Sequence, residues 1–94
     1  MDLHMTRSIA LIEDDEIVRQ ATSQWLQLAG FEVTTFEAGQ VALDQVLVSD
    51  FDTIITDVRL PDIDGIDLLN QIKQRLPDVP VILITGHGDV DMAV

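Results

Sequence analysis

Acidic side chains follow two apolar segments of this 94-residue chain, at the points where those segments end. Glu13, Asp14 and Asp15 come after the first segment, and Asp57 comes directly after the third. Thr85 ends a fourth. Carboxylate oxygens bind hard cations, and a carboxylate can also act as a nucleophile that takes up a phosphoryl group. Both kinds of chemistry require the acids to meet in space, so the elements that carry them decide whether a site forms.

Strand-like and helix-like segments alternate along the chain. Continuous apolar or β-branched runs predict strands over residues 8–13, 31–36, 52–56 and 81–85. Apolar residues at helical spacing predict helices over residues 15–30, 38–49 and 65–76, and a fourth helix within 86–94. Short connections between such elements favour right-handed crossovers and a mostly parallel sheet with helices on both faces. The sequence therefore predicts an α/β fold.

The carboxyl ends of parallel strands lie along one edge of the sheet, where open α/β sheets bind their ligands. Asp14, Asp15 and Asp57 are therefore expected to converge. Two carboxylates about 4 Å apart repel by roughly 4 kcal/mol at an effective dielectric constant near 20, so a counter-ion is expected. An all-oxygen ligand set suits Mg²⁺. Asp57 is then a candidate nucleophile for a phosphoryl group, with the Thr85 hydroxyl as a hydrogen-bond donor to a phosphoryl oxygen.

Other interpretations of the same residues stay open from the sequence. Asp14 and Asp15 also suit an N-cap pair for the first helix, which is compatible with a metal site. Glu13 is either an additional acid of the pocket or a solvated side chain. The acids within "PDIDG" (61–65) are interpreted as turn residues without a catalytic role, and Trp25 is expected to lie partly in the core.

Taken together, "IEDDE", "TDVRLPDIDG" and "LITGHGD" resemble the receiver domain of two-component response regulators, and the resemblance covers Ser8 to Val94. It implies a flavodoxin-like, doubly wound parallel sheet with strand order 2-1-3-4-5. Residues 1–94 are then expected to be the N-terminal part of a receiver domain, ending before the fifth strand. The Lys and the aromatic residue that receivers carry on and before that strand are not in the sequence, whose single lysine is Lys73.

The resemblance also implies a role for each site residue. Asp57 is implied to be the phosphoacceptor. Asp15 and Asp57 are implied to bind Mg²⁺ directly, with Asp14 acting mainly through water and the backbone carbonyl of Arg59 as a third protein ligand. Thr85 is implied to be the switch residue that moves toward the phosphoryl oxygen.

By the same resemblance, the partner is a sensor histidine kinase and the domain has no independent turnover substrate. "TGHGDVDMAV" resembles the receivers of enhancer-dependent (NtrC-like) activators, the dicarboxylate-transport regulators in particular, in which an ATPase domain and a DNA-binding domain follow. A net charge of −12 argues against direct nucleic-acid binding by this segment. Its apolar runs are too short to span a bilayer, and a cytoplasmic protein is expected.

Three other functions are alternatives to that of a phosphoacceptor. A degenerate receiver that serves as a dimerisation module is favoured by the missing Lys. A Mg²⁺-dependent phosphohydrolase would carry an Asp-x-Asp-x-Thr loop after the first strand, and "EDDEI" does not match that pattern. A nucleotide-binding protein would carry a Gly-rich phosphate loop after the first strand, and no such loop is present there.

Without a fifth strand, "VILIT" (81–85) forms an exposed sheet edge. Such an edge predicts self-association, with a homodimer as the expected product.

Overall fold

The computed structural model describes residues 7–85, which form four strands and three helices in strict alternation. The elements are β1 (Ser8–Ile12), α1 (Glu16–Leu28), β2 (Glu32–Phe36), α2 (Gly39–Val46), β3 (Thr53–Asp57), α3 (Gly65–Arg75) and β4 (Val81–Ile84). Each of the seven confirms an element predicted from the sequence, with bounds that differ by a few residues. The fourth predicted helix falls on residues 86–94, outside the described part of the chain.

The four strands form one parallel sheet in the order β2-β1-β3-β4. This order confirms the doubly wound arrangement predicted from the sequence. After β2 the chain reverses direction across the sheet, so right-handed crossovers place α1 on one face and α2 and α3 on the other. The reversal also leaves a crevice between the carboxyl ends of β1 and β3, and this is where ligands bind in open α/β sheets.

The main core lies between the sheet and the face covered by α2 and α3. Its buried members come from five elements: Ala10, Ile12, Ile54 and Val81 from the strands, and Ala42, Leu43, Val46, Leu68 and Ile72 from the helices. Because β1 and β3 are the most buried elements, they fix the positions of the residues that follow them. Truncation of a fully buried Leu to Ala in such a core costs about 2–5 kcal/mol.

Helix α1 packs on the opposite face, and none of its residues is buried. Ile17 and Trp25 are each 80% exposed, so the prediction that Trp25 lies partly in the core was wrong. The spacing of the apolar residues correctly predicted that this segment is a helix. Helical spacing does not show, however, which of those residues are buried by other elements. Gly30 follows the C-cap with a left-handed φ of +99°, the conformation that glycine favours at the end of a helix.

No helix among residues 7–85 is long and apolar enough to cross a membrane.

Candidate functional site

Three carboxylates meet at the carboxyl edge of the sheet. Glu13 and Asp14 follow β1, Asp57 ends β3, and one oxygen from each lies within 4.8 Å of the other two. Asp57 is 1% exposed and Glu13 is 3% exposed, whereas Asp14 is open to solvent. The structure therefore brings Asp14 and Asp57 together, as the strand order predicts, and it adds Glu13 to the group.

Glu13 is a pocket acid, which resolves the alternative that the sequence left open. Its backbone N–H donates to the Phe36 carbonyl at 2.9 Å, so the pairing of β1 with β2 continues one residue past the strand. Its Oε2 accepts the backbone N–H of Asp15 at 3.1 Å. Burial raises the pKa of the Glu13 carboxyl above its ordinary value, and the nearby charges of Asp57 and Asp14 add to the rise. The hydrogen bond from Asp15 opposes it.

Asp15 has a different position from Glu13 and Asp14, the two acids that precede it. It is the N-cap of α1, with φ −75° and ψ 119°, and its Oδ1 accepts the backbone N–H of Val18 at 3.0 Å. The N-cap interpretation is therefore confirmed for Asp15. Among the described residues, the group of acids suited to a metal comprises Glu13, Asp14 and Asp57, without Asp15. Direct metal binding by Asp15 stays a prediction.

Arg19 holds the acidic segment from the first turn of α1, a contact that sequence reasoning missed. Its Nη1 donates to the carbonyl of Glu13 at 3.0 Å and to the carbonyl of Asp14 at 3.3 Å. These bonds fix the backbone that carries the two acids and place a positive charge near three negative ones. The signal available in the sequence was the position of this basic residue, one helical turn beyond the N-cap Asp15.

Asp57 lies on a central strand, paired in register with Ile84 of β4. Its Oδ1 accepts the backbone N–H of Arg59 at 3.4 Å, a long hydrogen bond that links the acid to the loop after it. Thr85 directly follows Ile84 and is half-buried, so it lies at the carboxyl end of the strand next to Asp57.

The loop between β3 and α3 folds back tightly on Asp57. The N–H of Gly65 donates to the Val58 carbonyl at 2.8 Å, and Arg59 and Asp64 form an antiparallel bridge. An ideal Cβ at position 65 would lie 2.5 Å from the carbonyl oxygen of Asp57, so a residue without a side chain is needed there. Asp64 also caps α3, accepting the N–H of Ile66 at 2.8 Å. The turn chemistry predicted for "PDIDG" thus sets the shape of the loop beside the acid.

The donor set fits a magnesium ion. It consists of carboxylate oxygens, the ligand type that Mg²⁺ prefers. Oxygens bound to one octahedral Mg²⁺ at about 2.1 Å lie at most about 4.2 Å apart. A group within 4.8 Å needs a small adjustment, or one bridging water, to reach that geometry.

Lys73, the single lysine of the sequence, lies away from these acids. It is on α3, and its Nζ donates to the carbonyls of Pro77 and Val79 ahead of β4. Those carbonyls precede β4, on the amino side of the sheet, whereas the acids lie on the carboxyl side. Lys73 therefore supports the turn into β4 and has no contact with the site.

Comparison with known proteins finds similarity over nearly the whole chain. The model of the response regulator receiver domain family matches residues 9–94. The DNA-binding transcriptional regulator NtrC of Klebsiella pneumoniae is 44% identical over 91 residues, which is 96% of this chain and 19% of that protein. The C4-dicarboxylate transport transcriptional regulatory protein DctD of Rhizobium meliloti is 44% identical over 87 residues, 93% of this chain and 19% of that protein. The chain thus spans about a fifth of these relatives.

Solved structures show the same architecture. The response regulator protein TrrA of Thermotoga maritima, in complex with Mg²⁺ and BeF, matches with a TM-score of 0.85 and 28% identity over 88% of this chain and 72% of that one. TrrA in complex with the histidine kinase ThkA matches with a TM-score of 0.83 and 28% identity over 93% of this chain and 77% of that one.

Proposed function

This chain belongs to the response regulator receiver domain family, a family of signalling domains, and we propose on that basis that Asp57 is its phosphoacceptor. One observation carries the proposal. Asp57 is a carboxylate that is 1% exposed, ends a central strand at the point where strand order reverses, and lies beside two further acids. A like-charged group of this kind is stabilised by a cation, and a phosphoryl group with its own negative charge can then approach it.

In the proposed reaction, a carboxylate oxygen of Asp57 attacks the phosphorus of a phosphoryl donor. The new O–P bond forms as the bond between phosphorus and the leaving group breaks, and the electron pair departs with the leaving group. That group is the histidine imidazole of a kinase or the acetate of acetyl phosphate. The Thr85 hydroxyl donates a hydrogen bond to a phosphoryl oxygen, and the product is an aspartyl phosphate.

We propose Mg²⁺ as the counter-ion of the site, held by the carboxylates of Asp57 and Asp14 and by the carbonyl of Arg59. When bound, Mg²⁺ would offset the negative charge of the acids and of the phosphoryl oxygens. Glu13 fits a contact through water, since its Oε2 already accepts the N–H of Asp15. The resemblance gave Asp15 the direct role and Asp14 the water-mediated one. The geometry supports the exchange of these roles, because Asp14 is in the group of acids and Asp15 caps α1.

The partners of the complete protein follow as proposals. A sensor histidine kinase is the proposed donor, supported by the solved complex of ThkA with TrrA. We propose that residues 1–94 are the N-terminal part of a receiver domain in a cytoplasmic transcriptional regulator, with DNA bound by a separate domain. The similarity to NtrC and DctD supports this, since both are named as transcriptional regulators. The domain itself is proposed to have no independent turnover substrate.

Self-association into a homodimer is also proposed for this 94-residue chain. In the described sheet β4 has a neighbouring strand on one side, β3. The isoleucines of β3 and β4 on the face of α1 are only half-buried: Ile55, Ile82 and Ile84. Together with the exposed Ile17 and Trp25, they leave apolar surface of a kind that monomeric proteins seldom expose.

Acetyl phosphate tests the phosphoacceptor proposal directly. We expect the wild-type chain to gain the mass of one phosphoryl group when it is incubated with acetyl phosphate and Mg²⁺, and to gain none when Mg²⁺ is chelated. Asp57→Asn should not be modified. Asp78→Asn, which changes an exposed acid on the opposite side of the sheet, should be modified like the wild type. Full modification of Asp57→Asn would refute the assignment.

A further inference from the structure

Helix α2 is capped by a residue that comes well after it in the sequence, in the loop between β3 and α3. The residue at its own N-cap position, Ala38, makes no side-chain cap hydrogen bond. Instead, Oδ1 of Asp62 accepts the N–H of Gly39 at 2.9 Å, and Oδ2 accepts the N–H of Gln40 at 2.8 Å. Both oxygens of one carboxylate are thus used to satisfy the first two amides of the helix. We call these two bonds the α2 clamp.

The α2 clamp favours the ionised carboxylate. The hydrogen bonds from Gln40 and Gly39 lower the pKa of Asp62 below its ordinary value. The positive end of the helix dipole also favours a negative charge at this position. The other two described helices are capped by the residue directly before them, Asp15 for α1 and Asp64 for α3. Of the three, α2 alone is capped by a residue from a distant part of the sequence.

The start of α2 and the loop after β3 are also packed closely against each other. A Cβ at Gly39 would overlap the side chain of Ile63 and lie 3.2 Å from Cδ1 of Leu60. Leu60 and Ile63 are both half-buried and pack against the main core. The contact therefore joins hydrogen bonds with apolar packing, and the loop is held from the side of α2 as well as from the side of α3.

The same loop contacts the phosphoacceptor. Arg59, three residues before Asp62, donates its N–H to Oδ1 of Asp57 and pairs with Asp64. The amino end of α2 is therefore linked to Asp57 by its hydrogen bonds to Asp62, by the short loop backbone from Asp62 back to Arg59, and by the hydrogen bond from the Arg59 N–H. Arg59 is also the residue whose carbonyl is proposed to bind the metal, and a hydrogen bond of 3.4 Å is long enough to be lost if the loop shifts.

We propose that Asp62 is a positioning residue for the phosphorylation site. Through the α2 clamp it holds the loop so that the Arg59 backbone stays against Asp57. The inference rests on the proposed function for its consequence, since the backbone that Asp62 positions is the one proposed to bind Mg²⁺. It assigns a role to an acid that the sequence analysis treated as a turn residue.

Nuclear magnetic resonance on the 94-residue chain can test both steps of the proposal. Amide hydrogen exchange is measured for Gly39, Gln40 and Arg59, and Mg²⁺ affinity is measured by titration, well below the melting temperature. For Asp62→Ala we expect exchange at Gly39 and Gln40 to accelerate by about fivefold or more. Arg59 exchange should also accelerate, and the Kd for Mg²⁺ should rise several-fold.

Two further variants keep the test decisive. Asp62→Asn retains one acceptor oxygen and should give intermediate values for all three amides and for the Kd, and it serves if Asp62→Ala does not fold. Asp78→Ala removes the same charge from an exposed position that has no role in the α2 clamp, and it should behave like the wild type.

Each alternative outcome overturns a definite part of the proposal. Unchanged exchange at Gly39 and Gln40 in both Asp62 variants would show that the α2 clamp does not exist in solution. Faster exchange there, with unchanged Arg59 exchange and unchanged Mg²⁺ affinity, would leave Asp62 as a helix cap without a positioning role. If the wild-type chain does not bind Mg²⁺, the proposed metal site fails, and the Arg59 amide alone still decides whether Asp62 positions the loop.

Discussion

Carboxylate oxygens of Asp14 and Asp57 lie within 4.8 Å of each other, although one residue follows the first strand and the other ends the third. The contact exists because β1 and β3 are parallel neighbours, so their carboxyl ends meet at the same edge of the sheet. Two negative charges at that distance repel by roughly 3 kcal/mol at an effective dielectric constant near 20. The fold therefore maintains a site whose charge favours a cation.

Alanine variants of Asp14 and Asp15 show which of the two acids binds the metal and which caps α1. We expect Asp14→Ala to weaken Mg²⁺ binding at least about tenfold, since a carboxylate of the donor group is lost. Asp15→Ala should keep most of the Mg²⁺ affinity but lower the free energy of unfolding by about 1 kcal/mol, since α1 loses its cap. Calorimetric titration and urea denaturation measure the two effects. The reverse pattern would give Asp15 the direct role implied by the family resemblance.

The sequence predicted the elements and the edge where the acids meet, because strand and helix periodicities are local signals. It did not decide which of three consecutive acids enters the site. Both Asp14 and Asp15 suit an N-cap, and the outcome depends on where β1 stops pairing with β2. In the structure, Glu13 still donates to Phe36, so the helix begins after Asp15 and the two earlier residues face the pocket.

Contacts between distant segments, and the exposure of residues on the outer side of a helix, could not be predicted either, because neither leaves a local pattern in the sequence. The hydrogen bonds from Gly39 and Gln40 to Asp62 join segments more than twenty residues apart, and nothing in "PDIDG" indicates that partner. Trp25 belongs to a correctly predicted helix, but its exposure of 80% depends on what packs on the outer side of α1.

The stability contributed by Asp62 should depend on pH. Its pKa in the folded chain is lowered from 3.8, so the stabilisation is present above the unfolded pKa and is lost as the pH falls through the folded value. We expect wild type to be more stable than Asp62→Asn near pH 7, with a difference that shrinks below about pH 4. Because Asp62 is exposed, added salt should also reduce the difference. Urea denaturation across this pH range checks both effects, and a constant difference would contradict the pKa assignment.

Two glycines beside the site should differ in their tolerance of a side chain. A Cβ at Gly65 would meet the backbone of Asp57 and Val58, whereas a Cβ at Gly39 would chiefly meet the side chain of Ile63, which can rotate. We expect Gly65→Ala to lower the free energy of unfolding by about 1–3 kcal/mol and Gly39→Ala to cost less. Gly65→Ala should also slow phosphorylation by acetyl phosphate. Equal costs for both variants would show that the backbone near position 65 adjusts freely.

Sedimentation analysis tests the proposed self-association of the 94-residue chain. Within the described sheet, β4 presents an unpaired edge, and exposed apolar residues lie on α1. We expect a weight-average mass that rises with concentration toward that of a dimer. Ile82→Lys, which adds a charge to the edge strand, should reduce the association. A compact monomer at all concentrations, with sharp amide spectra, would show that the edge is protected.

The location of the phosphoryl group decides whether Asp57 is the phosphoacceptor. The chain is treated with acetyl phosphate and Mg²⁺, and the acyl phosphate is then reduced with borohydride, which converts the modified aspartate to homoserine. Peptide mass spectrometry finds the position. We expect homoserine at position 57 and at no other acid. Homoserine at Asp14, Asp62 or elsewhere, with Asp57 unmodified, would contradict it.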